Sequence, residues 1–318
     1  MFDPNYLQKI RQHPFRIALL IAVVFFFTLL SGTGLVLPSL QDSSHALVFG
    51  LATELLLIVL IPSNAISNRQ RIKYVLLICI AAFAFGIFVE LVQPLFGRDR
   101  SLLDASYDLA GCTAAGLFYL RKHAAHSQTK SVLLFFACLQ VFSCLVIPAS
   151  NMLVVAQRYF SAPLLVSFDA PWERHIRSIN DGTHFSIVPA PQNWQHDSLV
   201  GRFELGQASY PGISFPYIYG DWSNYSTLSF KVYSEHQQTI ILHLRAHDVK
   251  HNNEYRDRFN QSVSIKPGLN LIEVDLGKVK HSPKSRELDL SKVASFALFM
   301  ARPKELITLY IDDIQLTK

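Results

Sequence analysis

Two short stretches in an otherwise apolar N-terminal half carry residues that do chemistry. Glu90 and Gln93 stand at i and i+3, so on a helix they share a face; Asp104, Asp108 and Gly111 follow at i, i+4 and i+7 and share another. Arg98 and Arg100 lie in the short turn between them, and Asp42 with His45 forms an upstream pair. An arginine can grip a phosphate bidentately. His45 beside Asp42, Glu90 or Asp108 supplies an acid and a base. The set therefore suits an anionic headgroup, of a phospholipid or a polyisoprenoid phosphate, with or without catalysis on it. It suits equally a structural network in which Arg98 or Arg100 pairs with Asp104 or Glu90 while Gln93 and His45 complete the hydrogen bonds, since buried charges are normally paired. Glu54 is a separate acid within the apolar region.

The elements that position these residues are read from apolar run lengths. Residues 17–41 carry no charge and, at ~1.5 Å per residue in a helix, exceed the ~30 Å of a hydrocarbon core. Further spans are expected over about Ser43–Ile61, Tyr74–Phe96, the more polar Leu102–Leu120, and Ser131–Val154 with Pro148 near its end. Lys9, Arg11 and Arg16 precede the first span; Arg69, Arg71 and Lys73 separate the second from the third; Arg121, Lys122 and Lys130 separate the fourth from the fifth. The opposite loops hold only Arg98 and Arg100, so the N-terminus is expected in the cytoplasm and, after five crossings, the C-terminal half outside. The expected location is the cytoplasmic (inner) membrane, multi-pass, with an extracytoplasmic, periplasmic C-terminal domain. The expected domains are 1–157 and 160–318.

The run from Glu90 to Gly111 resembles the signature of VanZ-like membrane proteins, E-x-x-Q, a Gly-Arg turn, then S-x-x-D-x-x-x-N-x-x-G, here carried by Glu90, Gln93, Gly97-Arg98, Ser101, Asp104, Asp108 and Gly111. Asp42-Ser-Ser-His45 is loosely similar to an upstream D-K-x-x-H. The departures are specific: Asp108 stands where the family has asparagine, Gln41 and Asp42 fall on its aspartate and lysine, the Gln-to-Arg spacing is one residue short, and Arg100 is an added base. The resemblance covers roughly residues 10–125 and implies a helical membrane fold.

From Pro163 the pattern changes to short segments of period two: 164–168, 198–205, 227–233, 239–245, 261–265, 270–276, 295–300 and 308–316, separated by turn residues such as Pro267-Gly268. Many short strands without helical pattern between them predict an all-β sandwich. Within it, Asp248-Val-Lys-His251-Asn-Asn-Glu-Tyr255-Arg256-Asp-Arg258-Phe259 sets planar hydrogen bonders beside an aromatic face, as sugar binding needs; the alternative is a solvated hairpin ordered by an Asp–Arg pair. Trp222, just before a strand, reads as core packing more than as a sugar platform.

The order of Phe168-Asp169, Asp221-Trp222, Asp248 to Arg258-Phe259, Pro267-Gly-Leu-Asn270, Arg286-Glu-Leu-Asp-Leu290 and Leu309-Tyr-Ile-Asp-Asp-Ile314 resembles the galactose-binding-like jelly roll of carbohydrate-binding modules. That resemblance implies a structural calcium where first and last strands meet, with Asp169 and Asp313 or Asp312 as oxygen ligands; the alternative is that these acids cap loops.

Net charge is +5, but much of the excess flanks the apolar spans, and no basic stripe marks the β half, which disfavours nucleic acid as a partner. Cys79, Cys112, Cys138 and Cys144 all fall in the apolar half, so the β half must hold together by its own core. No nucleophile elbow, zinc-ligand spacing, P-loop or dinucleotide glycine pattern is present. The expected function is non-enzymatic binding of cell-envelope polysaccharide or a lipid-linked sugar, with membrane lipid or an envelope protein as further partners. The alternative is a membrane enzyme acting on a lipid phosphate.

Overall fold

The computed structural model describes residues 6–29, 34–62, 66–96, 100–191, 194 and 199–318. The chain divides into two compact units, Met1–Met152 and Leu153–Lys318.

The first unit is helical. Its elements are α1 (Tyr6–Arg11), α2 (Pro14–Leu29), α3 (Val36–Leu60), α4 (Asn68–Val92, followed by a 3-10 turn Gln93–Phe96), α5 (Leu102–His123) and the start of α6 (Ser127–Ser161). Among the described residues, three helices are long and apolar enough to cross a membrane: Val36–Leu60, Asn68–Leu95 and Ser127–Ser161. Of the five spans expected, the first and fourth fall short. α2 is described over sixteen residues, and α5 carries Asp104 and Asp108 among alanines and glycines. α5 is largely enclosed: Ala105, Tyr107, Asp108, Ala110, Gly111, Cys112, Ala114, Ala115 and Gly116 are buried. A helix that meets protein on that face does not need the uniform apolarity of one that meets lipid.

The boundary between the first two expected spans is also corrected. The uncharged run 17–41 is not one helix. Gly34 takes φ 102°, a left-handed conformation suited to glycine, and α3 begins just beyond it. Asp42 and His45 therefore lie inside α3 rather than at its opening.

Close packing joins α3 to α5. A Cβ on Gly111 would stand 2.1 Å from the Ala46 carbonyl oxygen and 2.9 Å from the Gly50 nitrogen, so only glycine permits this approach. At the other end of α3, Leu57 and Ile61 pack with Val75 and Ile78 of α4. There Lys9 donates to the carbonyls of Ile58 and Ile61 at 3.2 and 2.7 Å, and Glu54 pairs with Arg16 (3.6 Å) and Lys122 (3.3 Å).

The second unit is a sandwich of two antiparallel sheets. Its strands are β1 (Leu164–Val166), β2 (Ser178–Ile179), β3 (Thr183–Pro189), β4 (Leu199–Leu205), β5 (Gly212–Phe215), β6 (Thr227–Ser234), β7 (Ile240–Asp248), β8 (Phe259–Ile265), β9 (Gly268–Asp275), β10 (Val293–Phe299) and β11 (Ile307–Thr317), with a short helix α7 (Leu276–Lys280) after β9. One sheet runs β3-β4-β11-β6-β9 with β1 on β11; the other runs β2-β5-β10-β7-β8. The chain switches sheets between most successive strands from β4 to β11, the winding of a jelly roll. Period two along the strands sends Phe203, Phe230, Phe296, Phe215 and Leu309 into a shared core. Trp222 joins it: it is fully buried, its indole N–H donates to the Tyr219 carbonyl at 2.7 Å, and it meets Phe296 edge-on. β2, β3 and β5 were not expected. β2 and β5 are very short, and no residue of β3 is buried, so neither shows an alternation to read.

Candidate functional site

The outer face of the β2-β5-β10-β7-β8 sheet is built by register. Along β7, Leu242, Leu244 and Ala246 point inward, leaving His243, Arg245 and His247 outward. Pairing aligns His243 with Ser262 of β8 and Phe299 of β10, and Arg245 with Asn260 and Ala297. β5 adds Ser214 opposite Ala297 and Gly212 opposite Phe299. Small residues thus floor the middle of the face while larger ones stand on either side. The result is a groove of about 480 Å³, walled by Tyr210, Phe299 and His243 on one part and by Tyr255, Arg258 and Asn260 on another.

These walls are held in place. The His243 ring stacks on Phe299 at 5.4 Å and its Nδ1 lies 2.9 Å from the Ser262 hydroxyl. Tyr210 meets Phe299 edge-on at 5.8 Å. The Arg258 guanidinium lies 5.3 Å from the Tyr255 ring centre and donates to Asn260 at 3.0 Å, and Asn260 donates back to the Tyr255 carbonyl at 2.9 Å. Tyr255 itself is 68% exposed. Arg245 is different: its Nε is buried without a hydrogen-bond partner. Burial and the nearby Arg258 charge both push its pKa below the ordinary arginine value.

Of the sugar-site residues expected from sequence, Tyr255 and Arg258 reach this groove, and Arg256 sits beside them on the same loop, outside the lining. Asp248 and His251 lie outside the lining: both side chains are buried, Asp248 against Arg286 and His251 against Asp257. Asp248 and Asp257 together clamp Arg286: its guanidinium donates to Asp248 at 2.5 and 2.8 Å and to Asp257 at 2.6 and 3.1 Å. The same carboxylates accept the backbone N–H groups of Lys250, Asn252 and Asp289. The loop is thus ordered by Asp–Arg pairing, and the base, Arg286, comes from outside the segment 248–259. Burial alone would raise the Asp248 pKa, but Arg286 and the amides hold it below the usual carboxylate range. Arg286 likewise draws Asp257 down. Sequence missed Arg245, His243 and Tyr210, although the period-two pattern of β7 does mark His243 and Arg245 as outward-facing.

The expected calcium ligands are placed as follows. β1 does pair with β11, so first and last strands meet. Asp169 accepts the Leu199 N–H at 3.0 Å, and Asp313 pairs with Lys231 at 2.7 Å. Asp312 is buried beside it at a bulge in β11, where Asp313 takes φ 51°. The three do not gather into one cluster. The end of β1 is instead organised by Glu173, which accepts from the Ser167 and Phe168 N–H groups.

In the helical unit α3, α4 and α5 bring part of the expected polar set together. His45 Nδ1 lies 3.1 Å from Asp108 and its Nε2 4.0 Å from Asp104. Glu90 accepts the Ser101 N–H at 3.0 Å. Asp42 lies on α3 one turn before His45. Gln93 falls in the 3-10 turn after α4. Arg98 lies outside the described residues, and Arg100 is exposed.

No protein-family model and no curated protein matches this chain. Solved structures do. An exo-beta-agarase is 18% identical, with 48% of this chain and 24% of the agarase covered and a TM-score of 0.40. A family 11 carbohydrate-binding module of a cellulosomal cellulase from Clostridium thermocellum is 18% identical, with 48% of this chain and 92% of the module covered and a TM-score of 0.35. The family 11 module from that organism in complex with a beta-1,3-1,4-mixed-linked tetrasaccharide is 16% identical, covering 44% and 86%, with a TM-score of 0.34. This chain thus spans about a quarter of the agarase it matches.

Proposed function

We propose that the chain is a membrane-anchored glycan receptor: the β unit binds a cell-envelope polysaccharide or lipid-linked sugar in the groove on its five-stranded sheet. The observation that supports this most is the lining itself. Aromatic faces (Tyr255, Tyr210) stand beside a dense set of planar and hydroxyl hydrogen bonders (Arg245, Arg258, Asn260, Ser262). Sugars present apolar C–H faces and equatorial hydroxyls, and such a lining meets both.

The helical unit, on this reading, anchors the module in a membrane through its long apolar helices, with the N-terminus cytoplasmic. Two groupings support the orientation: Lys9, Arg16 and Lys122 collect around the C-terminal end of α3, and the acids with His45 collect toward its other half. Lipid is the expected partner of this unit. An apolar cleft of about 610 Å³ between α3, α5 and α6 supports it, with Ser43 and Ser44 toward one end and Glu54 and Lys122 toward the other.

The test is calorimetric titration of the full chain in detergent micelles with a panel of neutral and acidic polysaccharides. Saturable binding is expected. Arg245→Ala should weaken it about 10- to 100-fold, the worth of a charge-assisted hydrogen bond. Tyr255→Ala should weaken it too, while Leu271→Ser, exposed on the opposite sheet, should leave it unchanged. No binding across the panel, or equal loss in Leu271→Ser, would overturn the reading.

A further inference from the structure

Three helices of the membrane unit deliver metal-ligand donors to one point. His45 on α3, Glu90 near the end of α4 and Asp104 in the first turn of α5 each place a ligand atom within 4.8 Å of the other two. An ion at ~2.0–2.2 Å from nitrogen and oxygen donors holds them ~3–4 Å apart. The His45 Nε2–Asp104 separation of 4.0 Å is already in that range, and small side-chain rotations bring in the third.

Acidic clusters alone signify little, but here further observations point to a cation. Glu90 is only 6% exposed, yet among the described residues its Oε1 has no hydrogen-bond partner, and neither has the buried Asp104 Oδ1. Unpartnered carboxylate oxygens in a protein interior are costly unless something positive meets them. The histidine is also oriented for ligation. Its Nδ1 faces Asp108 Oδ1 at 3.1 Å, and Asp108 is 1% exposed. In the neutral tautomer with its proton on Nδ1 toward that carboxylate, Nε2, the atom on the Asp104 side, has its lone pair free. This is the carboxylate–histidine arrangement that outer-shell groups impose on metal-bound imidazoles. Gly86 makes room for it: a Cβ there would lie 2.5 Å from Asp108 Oδ2.

We propose that His45, Glu90 and Asp104 form a binding site for one divalent transition cation, zinc or manganese, with Asp108 as the residue that positions His45. One imidazole with carboxylates suits these ions better than magnesium or calcium, which prefer oxygen alone. Three protein ligands leave a coordination position for an external oxygen, and the anionic headgroup of a lipid is the chemistry that position takes. The site stands independently of the glycan groove.

The test uses the full chain, purified without a histidine tag, stripped with chelator and re-equilibrated with zinc or manganese alone. Elemental analysis should find about one ion per chain, and the loaded protein should melt at higher temperature than the stripped one. Asp104→Asn and His45→Gln should lose both the ion and the metal-dependent shift. Asp108→Asn should retain the site with affinity reduced about 10- to 100-fold. Cobalt substitution provides a readout separate from folding: its visible absorption band should appear in the parent and vanish in Asp104→Asn while tryptophan fluorescence from the β unit is unchanged. Retention of a full equivalent in the His45→Gln/Asp104→Asn double variant, or no ion bound by the parent, would overturn the proposal.

Discussion

Arg286→Met should destabilise the β unit by roughly 3–5 kcal/mol, the cost of removing one partner from a buried ion pair. The Asp248 side chain is fully buried and accepts two of the hydrogen bonds that Arg286 makes; methionine keeps the bulk but leaves that charge uncompensated. For a unit of this size the expected fall in Tm is about 6–20 °C. Trp172, Trp194 and Trp222 are the only tryptophans and all lie in the β unit, so fluorescence of the full chain reports its melting selectively. The pH dependence carries a sign. In the parent, Arg286 holds Asp248 and Asp257 below the ordinary carboxylate range. Their contribution is therefore present above the unfolded value of ~3.9 and is lost as pH falls through the depressed folded values. Without Arg286 only the Lys250 and Asp289 amides still favour the Asp248 carboxylate, so its depression shrinks. The loss of stability on acidification should then be smaller in the variant than in the parent. A variant that melts like the parent, with an unchanged pH profile, would show that the clamp does not organise the loop. The same clamp orders the loop that carries Tyr255 and Arg258, so glycan affinity should fall with it.

Gly111→Val should disrupt the helical unit. The added Cβ meets the Ala46 backbone 2.1 Å away, where no side chain can rotate aside, so α3 and α5 must separate. Overpacking costs ~1–3 kcal/mol where neighbours can yield, and this contact lies at or beyond the upper end. Ala46 adjoins His45, so the separation should also pull His45 from Asp104 and Asp108 and abolish cation binding. Gly50→Ala is the control: its Cβ would lie 3.4 Å from the Gly111 oxygen, a tolerable contact. Denaturant unfolding of the detergent-solubilised chain should place Gly50→Ala near the parent and Gly111→Val well below it. Parent-like behaviour of Gly111→Val would mean that the two helices do not rely on this approach.

The periodicity of the chain determined much by itself. Uninterrupted apolar runs longer than a bilayer and alternating segments of period two are local signals. They separated a helical half from a β half and located most of the core strands. They also drew attention to Glu90, Asp104, Asp108 and His45, because ionisable residues stand out against apolar neighbours. The limits came from the same source. Composition could not place the break at Gly34, since no charge marks it. Nor could it show that the polar α5 is enclosed by other helices.

Only the tertiary structure decided which polar residues do what. The segment 248–259 reads as a sugar site or an ordered hairpin, and its residues divide between roles: Asp248 pairs with Arg286, whereas Tyr255 and Arg258 line the groove. Arg286 lies far along the chain, and no local pattern couples it to Asp248. Likewise no zinc-ligand spacing exists in the sequence, because the three donors come from three separate helices and meet only once Gly111 lets α3 lie against α5. Local spacing records which face of an element a residue occupies; which faces meet is set by packing between elements distant in sequence.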